Sequence, residues 1–505
     1  MNKIAGGFAD IYKNNVFVDV VSDHYVPDNQ KIEFSVWHTF AGKKTLSDVQ
    51  LLNAAGLDGF DGGEFGIREP KFLRVFQNQK KQPTGVRATV TGGSVAESFS
   101  DFEVMKLVDN RIDWSVSPSI RVQYMTEVIE AFDGTEQRIA LRDKPRITAE
   151  FQYSLFDTDR YIFDNEIISQ RGRVLIPLWP MQAKCVASSE GITLENGNEF
   201  LSSCEFMLIT SGVESEIVSI EARQGLAFSC ILLVLKNSSE ELTAIPVFPA
   251  SLSNENTSKI ASNFYETRTL SLDIDPESVD FYAPDETKFT HIYDRVEWDE
   301  DLQRYIRGNK KPVLTIRYDR SADITANYAL LKASFDPGFG LKHDHERAPG
   351  AYRTFNFEYK FFSEEDRQQF VDFAKITKGA QREFYCEAPY FGYEVISASG
   401  KSIVIKDSKL TLNTGTSAPA ITLSLYNGTR LYRKIDSVTN NNDGTQTLNL
   451  LEDIQALTSE DIDYAAPLFL SRFESDDFNF IFETDQISTI TKTIKQLIHA
   501  EHTRY

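Results

Sequence analysis

R-I-T-A-E-F-Q-Y-S-L-F-D, from Arg146 to Asp157, and R-T-F-N-F-E-Y-K-F-F-S, from Arg353 to Ser363, are two versions of one stretch, and their reading decides the fold. Phe151, Tyr153 and Phe156 align with Phe357, Tyr359 and Phe362 at a constant offset of 206 (357 − 151, 359 − 153, 362 − 156). Apolar and polar residues alternate in both, which predicts a strand with one buried face. An acidic segment follows each strand and predicts a short helix: D-T-D-R-Y-I-F-D-N-E-I-I in the first copy, S-E-E-D-R-Q-Q-F-V-D-F in the second.

The parallel continues downstream. Gly172 leads to L-I-P-L-W-P (Leu175 to Pro180), and Gly379 leads to E-F-Y-C-E-A-P (Glu383 to Pro389). Phe206 to Ile220 and Ile421 to Ile435 both read as strand, glycine turn, strand. I-P-V-F-P around Pro246 then matches A-P-L-F-L around Pro467. The shared order predicts a tandem pair of similar domains, each large enough to bury its own core.

Outward from these copies, three segments are expected. Residues 1–120 form an N-terminal β-rich domain, with strands in N-N-V-F-V-D-V-V and K-I-E-F-S-V-W-H-T-F. Residues 121–335 form the first repeat with a connector that passes into a strand at V-L-T-I-R-Y, and 336–505 form the second repeat. N-N-N-D-G-T (Asn440 to Thr445) is a hairpin tip, because Asp-Gly suits positive φ. The stretch T-I-T-K-T-I-K-Q-L-I-H-A-E-H has helix-like spacing, though it could equally begin as a strand. The fold class is mainly β with short helices (α+β).

Composition narrows the function. At 505 residues the chain holds three or four domains, taking about 100–200 residues for each. Phe (36) and Tyr (20) are abundant while Met (5) is scarce, which favours sheet. A formal net charge of −21 argues against a nucleic-acid coat. Cys185, Cys204, Cys230 and Cys386 form no C-x-x-C pair and read as buried thiols of a protein made in a reducing cytoplasm. The opening M-N-K-I-A-G-G-F-A-D-I-Y lacks the apolar run of a secretory signal. The apolar run Leu226 to Leu235 is about half of the ~20 residues a membrane span needs, so it is expected to be a core strand.

Signatures of chemistry are weak. Gly56 to Gly66 lacks the G-K-[ST] of a phosphate loop. His343 and His345 would share a strand face but show no third ligand, and Asp273 and Asp275 lack the glycine and distal glutamate of an EF-hand. No G-x-S-x-G occurs, and no carboxylate pair stands out among 74 acidic residues. We therefore expect no catalytic residue, no metal and no cofactor. What recurs is arginine with aromatics: Arg138, Arg142 and Arg146 before the first copy, Arg347, Tyr352 and Arg353 before the second. Such clusters suit subunit contacts. They also suit strand ends paired within their own domain, and both readings stand. Trp179, between Pro177 and Pro180, is expected to be buried in a core or against another subunit.

The run Q-R-I-A-L-R-D-K-P-R-I-T-A-E-F-Q-Y-S-L followed by R-G-R-V-L-I-P-L-W-P resembles minor tail and tail-tip proteins of tailed bacteriophages, the distal tail group in particular. E-R-A-P-G-A-Y-R-T-F-N-F-E-Y and K-G-A-Q-R-E-F-Y-C-E-A-P fit the same plan, as does the closing L-F-L-S-R-F-E-S-D-D-F-N-F-I-F-E-T-D. The second copy departs from it in placing Phe384 or Tyr385 where the first has Trp179. The resemblance implies a virion structural protein: a ring, trimeric or hexameric, joining the tail tube to the distal tip or baseplate. Its implied partners are further copies of itself, the tail tube protein, a tip or hub protein and the tape-measure protein, with no nucleic acid and no membrane insertion. The other readings are a carbohydrate- or receptor-binding β protein of the virion surface and, behind it, an enzyme degrading a surface polymer.

Overall fold

The computed structural model describes strands between residues 16 and 107 by their backbone, and most of 107–497 with side chains. The described part excludes 165–172, 189–190, 212–214, 231–241, 254–255, 280–283, 300–303, 409–419, 498–505 and scattered single positions; in 294–309 only backbone strands are described. Strands dominate, and the fold is mainly β.

The alternation in the two quoted stretches is real. Ile147, Ala149, Phe151, Tyr153 and Leu155 point inward from the Arg146–Phe156 strand, and Phe355, Phe357, Tyr359 and Phe361 from the end of the His343–Phe361 strand. The offset of 206 also carries Phe156 onto Phe362, and both rings are exposed (57% and 66%). Each sits where the strand ends and the chain turns into a helix. Those helices, Thr158–Phe163 and Glu364–Thr377, begin 206 residues apart as well.

The second helix forms because its signals agree. Ser363 caps it by accepting from the Asp366 N–H at 3.2 Å, and Glu364, Glu365 and Asp366 complement the positive end of the dipole. Phe370, Phe373, Ala374 and Thr377 recur at helical spacing and are buried. Phe370 lies 4.9 Å from Tyr359 and 5.5 Å from Phe361, ring centre to ring centre. Each such ring contributes about 1.5–3 kcal/mol by burial, and each pair about 0.5–1.5 kcal/mol more. In the first copy Phe163 meets Tyr153 in the same way, at 5.6 Å.

Strand pairing repeats too. In the first copy a central strand, Leu242–Leu252, is antiparallel to Arg173–Pro177, Ala183–Ser188, Phe206–Thr210 and the closing strand Tyr265–Ile274. In the second, Ile462–Phe473 pairs with Phe384–Glu387, Ala420–Leu425 and the closing strand Ser488–Gln496, and a bridge joins Ala465 to Tyr393. Pro246 faces Met207, and Pro467 faces Ile421. Each closing strand also pairs with the opening strand of its copy and with a short edge strand, Thr257–Ser262 or Asp477–Phe482.

Two compact units result: residues 1–116 with 149–279, and 117–148 with 280–505. This division departs from the expected breaks at 120 and 335. Within the first unit, Glu103–Leu107 runs parallel to Arg173–Pro177. Within the second, Ser119–Gln123 pairs with Asp477–Phe482. Pairings this distant in sequence leave no local trace at a boundary.

Other expectations change. T-I-T-K-T-I-K-Q lies on the closing strand, with Ser488, Ile490, Lys492, Ile494 and Gln496 inward; its β-branched residues tolerate the pleated state, and pairing with His343–Phe361 selects it. V-L-T-I-R-Y is an extended segment with a bridge from Val313 to Tyr385 rather than a full strand. Of the apolar run from Leu226, only Ala227–Ser229 is a described strand, and 231–235 lie outside the described residues, as do 56–63 of the glycine-rich loop. The Asn440 to Thr445 hairpin tip forms, with positive φ at Asn442 and Gly444 rather than at the expected Asp443 and Gly444.

Candidate interaction surface

Two projecting elements of the second unit carry the candidate surface. The first is a hairpin, Thr126–Glu130 with Glu136–Ala140, which contains the start of the arginine-rich run, including Arg138. The sequence placed that run at the head of the first repeat. Residues 137–148 belong instead to the second unit, where Arg138 meets Glu383. The second element is a ribbon in which Thr325–Phe335 pairs with His343–Phe361. The closing strand covers His343–Phe361 only from Thr354 onward. Before that point the ribbon is two strands wide.

Buried charge pins the hairpin. The Glu136 carboxylate accepts from Arg472 Nε at 2.6 Å, from Arg472 Nη2 at 3.0 Å and from Lys495 Nζ at 2.7 Å. The three side chains are 2%, 6% and 12% exposed, so these are bonds of a low-dielectric site. Burial works against the charged form of Glu136, but Arg472 and Lys495 outweigh it and hold the carboxyl below its ordinary range. Lys495 also reaches Glu130 at 3.4 Å and lies 4.7 Å over the Tyr352 ring. At the hairpin's base, Asp476 accepts from the Thr126 N–H and, at 2.7 Å, from the Ala380 N–H just beyond the long helix.

The ribbon is irregular by design. Leu330 faces Ala351 and Lys332 faces Glu346, so 347–350 bulge opposite Leu331 alone. Pro349, which has no N–H to donate, sits where a bulge tolerates it. Beyond the bulge Phe335 faces His343 and Ala333 faces His345, while the Phe132 ring at the hairpin tip stacks on His345 at 6.4 Å.

Both elements expose large apolar side chains among their polar ones. Met125, Ile129, Phe132, Ile139 and Leu141 on the hairpin, and Tyr328, Leu330, Phe335 and Leu341 on the ribbon, are each at least 40% exposed. Such a concentration marks an interaction surface far more often than scattered single residues do.

The seven residues singled out by sequence divide unevenly. Arg138 pairs with Glu383 at 3.2 Å inside the second unit, and Lys311 joins the same carboxylate. Arg142 rests its Nε 3.3 Å from the Met125 sulfur. Arg353 stacks between Tyr328 and Phe469, and Tyr352 is half-buried under Lys495. Arg146 is exposed. The Arg347 side chain lies outside the described residues. Trp179 is 7% exposed in the interior of the first unit, so it offers no surface to another subunit. The arginines thus mostly position the hairpin and ribbon rather than present themselves.

Sequence reading missed Glu136, Arg472 and Lys495, since their partnership spans more than 330 residues. It also passed over Tyr328, Leu330 and Phe335. The available signal was D-P-G (Asp336 to Gly338), a turn between two long strand-compatible runs. Among the described residues no three His, Cys, Asp or Glu side chains converge on a metal position. Among them, too, no helix is long and apolar enough to cross a membrane. Comparison with family models finds none that matches this chain, and comparison with curated proteins likewise finds no match.

Proposed function

We propose that this chain is a structural component of a bacteriophage tail tip: a β-rich adaptor, without enzymatic activity, that assembles into a ring between the tail tube and the distal tip or baseplate. The observation that carries the reading is the duplicated module, whose second unit bears a pinned hairpin and a two-stranded ribbon that both expose large apolar side chains. A protein built this way works through its edges and surfaces, and self-association into a closed ring is the economical use of one repeated contact. The strong negative charge keeps single copies soluble and apart until a specific contact forms.

The test is the mass of the purified chain in solution, together with antibody labelling of intact virions. The reading expects a closed oligomer and label at the distal end of the tail. A monomer absent from virions would refute it. The exposed rings at the ribbon's far end, Phe132 stacked on His345 and Phe335 beside His343, favour one second reading: a receptor- or glycan-binding surface. Saturable glycan binding by single copies would support that reading over the adaptor.

A further inference from the structure

The duplication exposes a difference between the two copies. In the second unit the edge strand Asp477–Phe482 is flanked on its outer side by Ser119–Gln123, in five residue pairs from Ser119–Ile481 to Gln123–Asp477. Arg121 closes this contact with two bonds to the Asp477 carboxylate, at 2.5 and 2.6 Å. The corresponding strand of the first unit, Thr257–Ser262, pairs only with the closing strand among the described residues. All six of its residues are exposed. The module accepts a strand at this edge, and among the described residues only one of its two copies has it.

The surroundings of the open edge are apolar. Ile260 is 70% exposed, Phe264 69%, Tyr161 63% and Phe156 57%. They are neighbours: the Phe264 carbonyl accepts from the Asp157 N–H at 3.0 Å, and the Phe156 ring lies 4.9 Å from that of Tyr265. Asp157 and Asp159 sit beside them at the start of the Thr158–Phe163 helix.

We infer that the outer edge of Thr257–Ser262 is a docking site for the Thr325–Phe335 strand of a second copy of this chain. Thr325–Phe335 also has a single neighbour strand among the described residues, and it exposes Tyr328, Leu330 and Phe335. It contains no acidic residue. The ribbon segment 325–353 carries four Lys or Arg against three Asp or Glu, a net +1, which leaves −22 on the remainder of a chain of −21. The ribbon is therefore less repelled by another copy than the acidic chain as a whole, and the acidic turn at Asp157 and Asp159 suits it. Strand addition of this kind takes its strength from main-chain hydrogen bonds and its selectivity from alternate side chains. Because the two edges differ, the contact is head-to-tail and continues from copy to copy until a ring closes. The inference rests on the adaptor reading and supplies its contact.

The experiment uses the full chain in sedimentation velocity. Ile260→Glu blocks the receiving edge, and Leu330→Glu blocks the entering strand. Each variant should self-associate roughly tenfold more weakly or not at all, as for a charge placed in the core of an interface. Mixed in equal amounts, they should form a dimer of the two and nothing larger, since one good edge and one good strand remain. Assembly unchanged in both variants, or no dimer in the mixture, would overturn the inference while leaving the adaptor reading in place. A wild-type chain that stays monomeric and is missing from virions would remove both. If circular dichroism shows that a glutamate variant misfolds, Ser258→Cys in one copy and Ala333→Cys in another replace it. A short bis-maleimide should then join the copies only when both new thiols are present, because the four native cysteines are buried. Absence of that cross-link would count against the contact.

Discussion

Glu136→Gln tests whether the hairpin is held by charge. The wild-type carboxylate takes three charged donors within 3.0 Å, and all three side chains are nearly out of water. The amide keeps the shape but leaves Arg472 and Lys495 buried without their counter-charge. Breaking a buried pair on one side costs about 3–5 kcal/mol. Glu130, 3.4 Å from Lys495 and 35% exposed, offsets part of this, so ~3 kcal/mol is expected. Hydrogen exchange of the amides in 126–140 is the suitable assay, because a protein of several units does not unfold in one step. At about 1.4 kcal/mol per factor of ten, those amides should exchange roughly a hundredfold faster. The pH dependence follows from the depressed carboxyl. Its stabilisation is complete above the ordinary value of 4.5 and is lost as pH falls through the lower value of the folded state. The wild-type hairpin should therefore lose protection only below about pH 4.5, and the variant should lack that step. Unchanged exchange at neutral pH, or the same acid step in both proteins, would show that packing rather than charge holds the hairpin.

Three further outcomes are expected. Trp179→Ala should cost about 3–5 kcal/mol, whereas Trp179→Phe should cost under about 1.5 kcal/mol, because the buried indole N–H has no hydrogen-bond partner among the described residues to lose; urea unfolding of the first unit measures both. Lys492 is buried, and that burial brings its ammonium down to about 7 against the pull of Asp477 and Asp476. The folded state thus sheds a proton that the unfolded state keeps, so the second unit should gain stability from pH 7 towards 10.5, and Lys492→Met should abolish that rise in thermal melts. Gly379 has φ +67, and a methyl there would collide with the Asp476 carboxylate and press on Tyr124. Gly379→Ala should cost at least ~1–2 kcal/mol and accelerate exchange of the Ala380 amide.

The repeat was legible because it is local. Phe151 and Phe357, or Tyr153 and Tyr359, advertise a buried face through alternation that four or five residues suffice to show. The helix after each strand was legible for the same reason, through Ser363 and the acids that follow it. The arginines were visible as residue types, but their destinations were not. Arg138 meets Glu383, and Glu136 meets Arg472, across distances in sequence that no periodicity spans. The closing strand was ambiguous because Ile490 and Ile494 suit a helical face as well as a pleated one, and only pairing with His343–Phe361 decides between them. Phe156 and Phe362 mark the limit of alternation: one residue past the last inward position, the same residue type faces water.

The pairing of Ser119–Gln123 with Asp477–Phe482 sets the order of events on the ribosome. The early strand must wait for some 350 further residues, which at about 5–20 residues per second is roughly 20–70 s of synthesis. Throughout that time the hairpin has neither Asp476 nor Arg472 and Lys495 to fasten it. The first unit, complete by residue 279, can fold in the interval, while the second fastens its hairpin only once Ile462–Phe473 and Ser488–Gln496 have been made. A nascent chain therefore lacks the buried charges that fasten its hairpin until Arg472, Asp476 and Lys495 have been made.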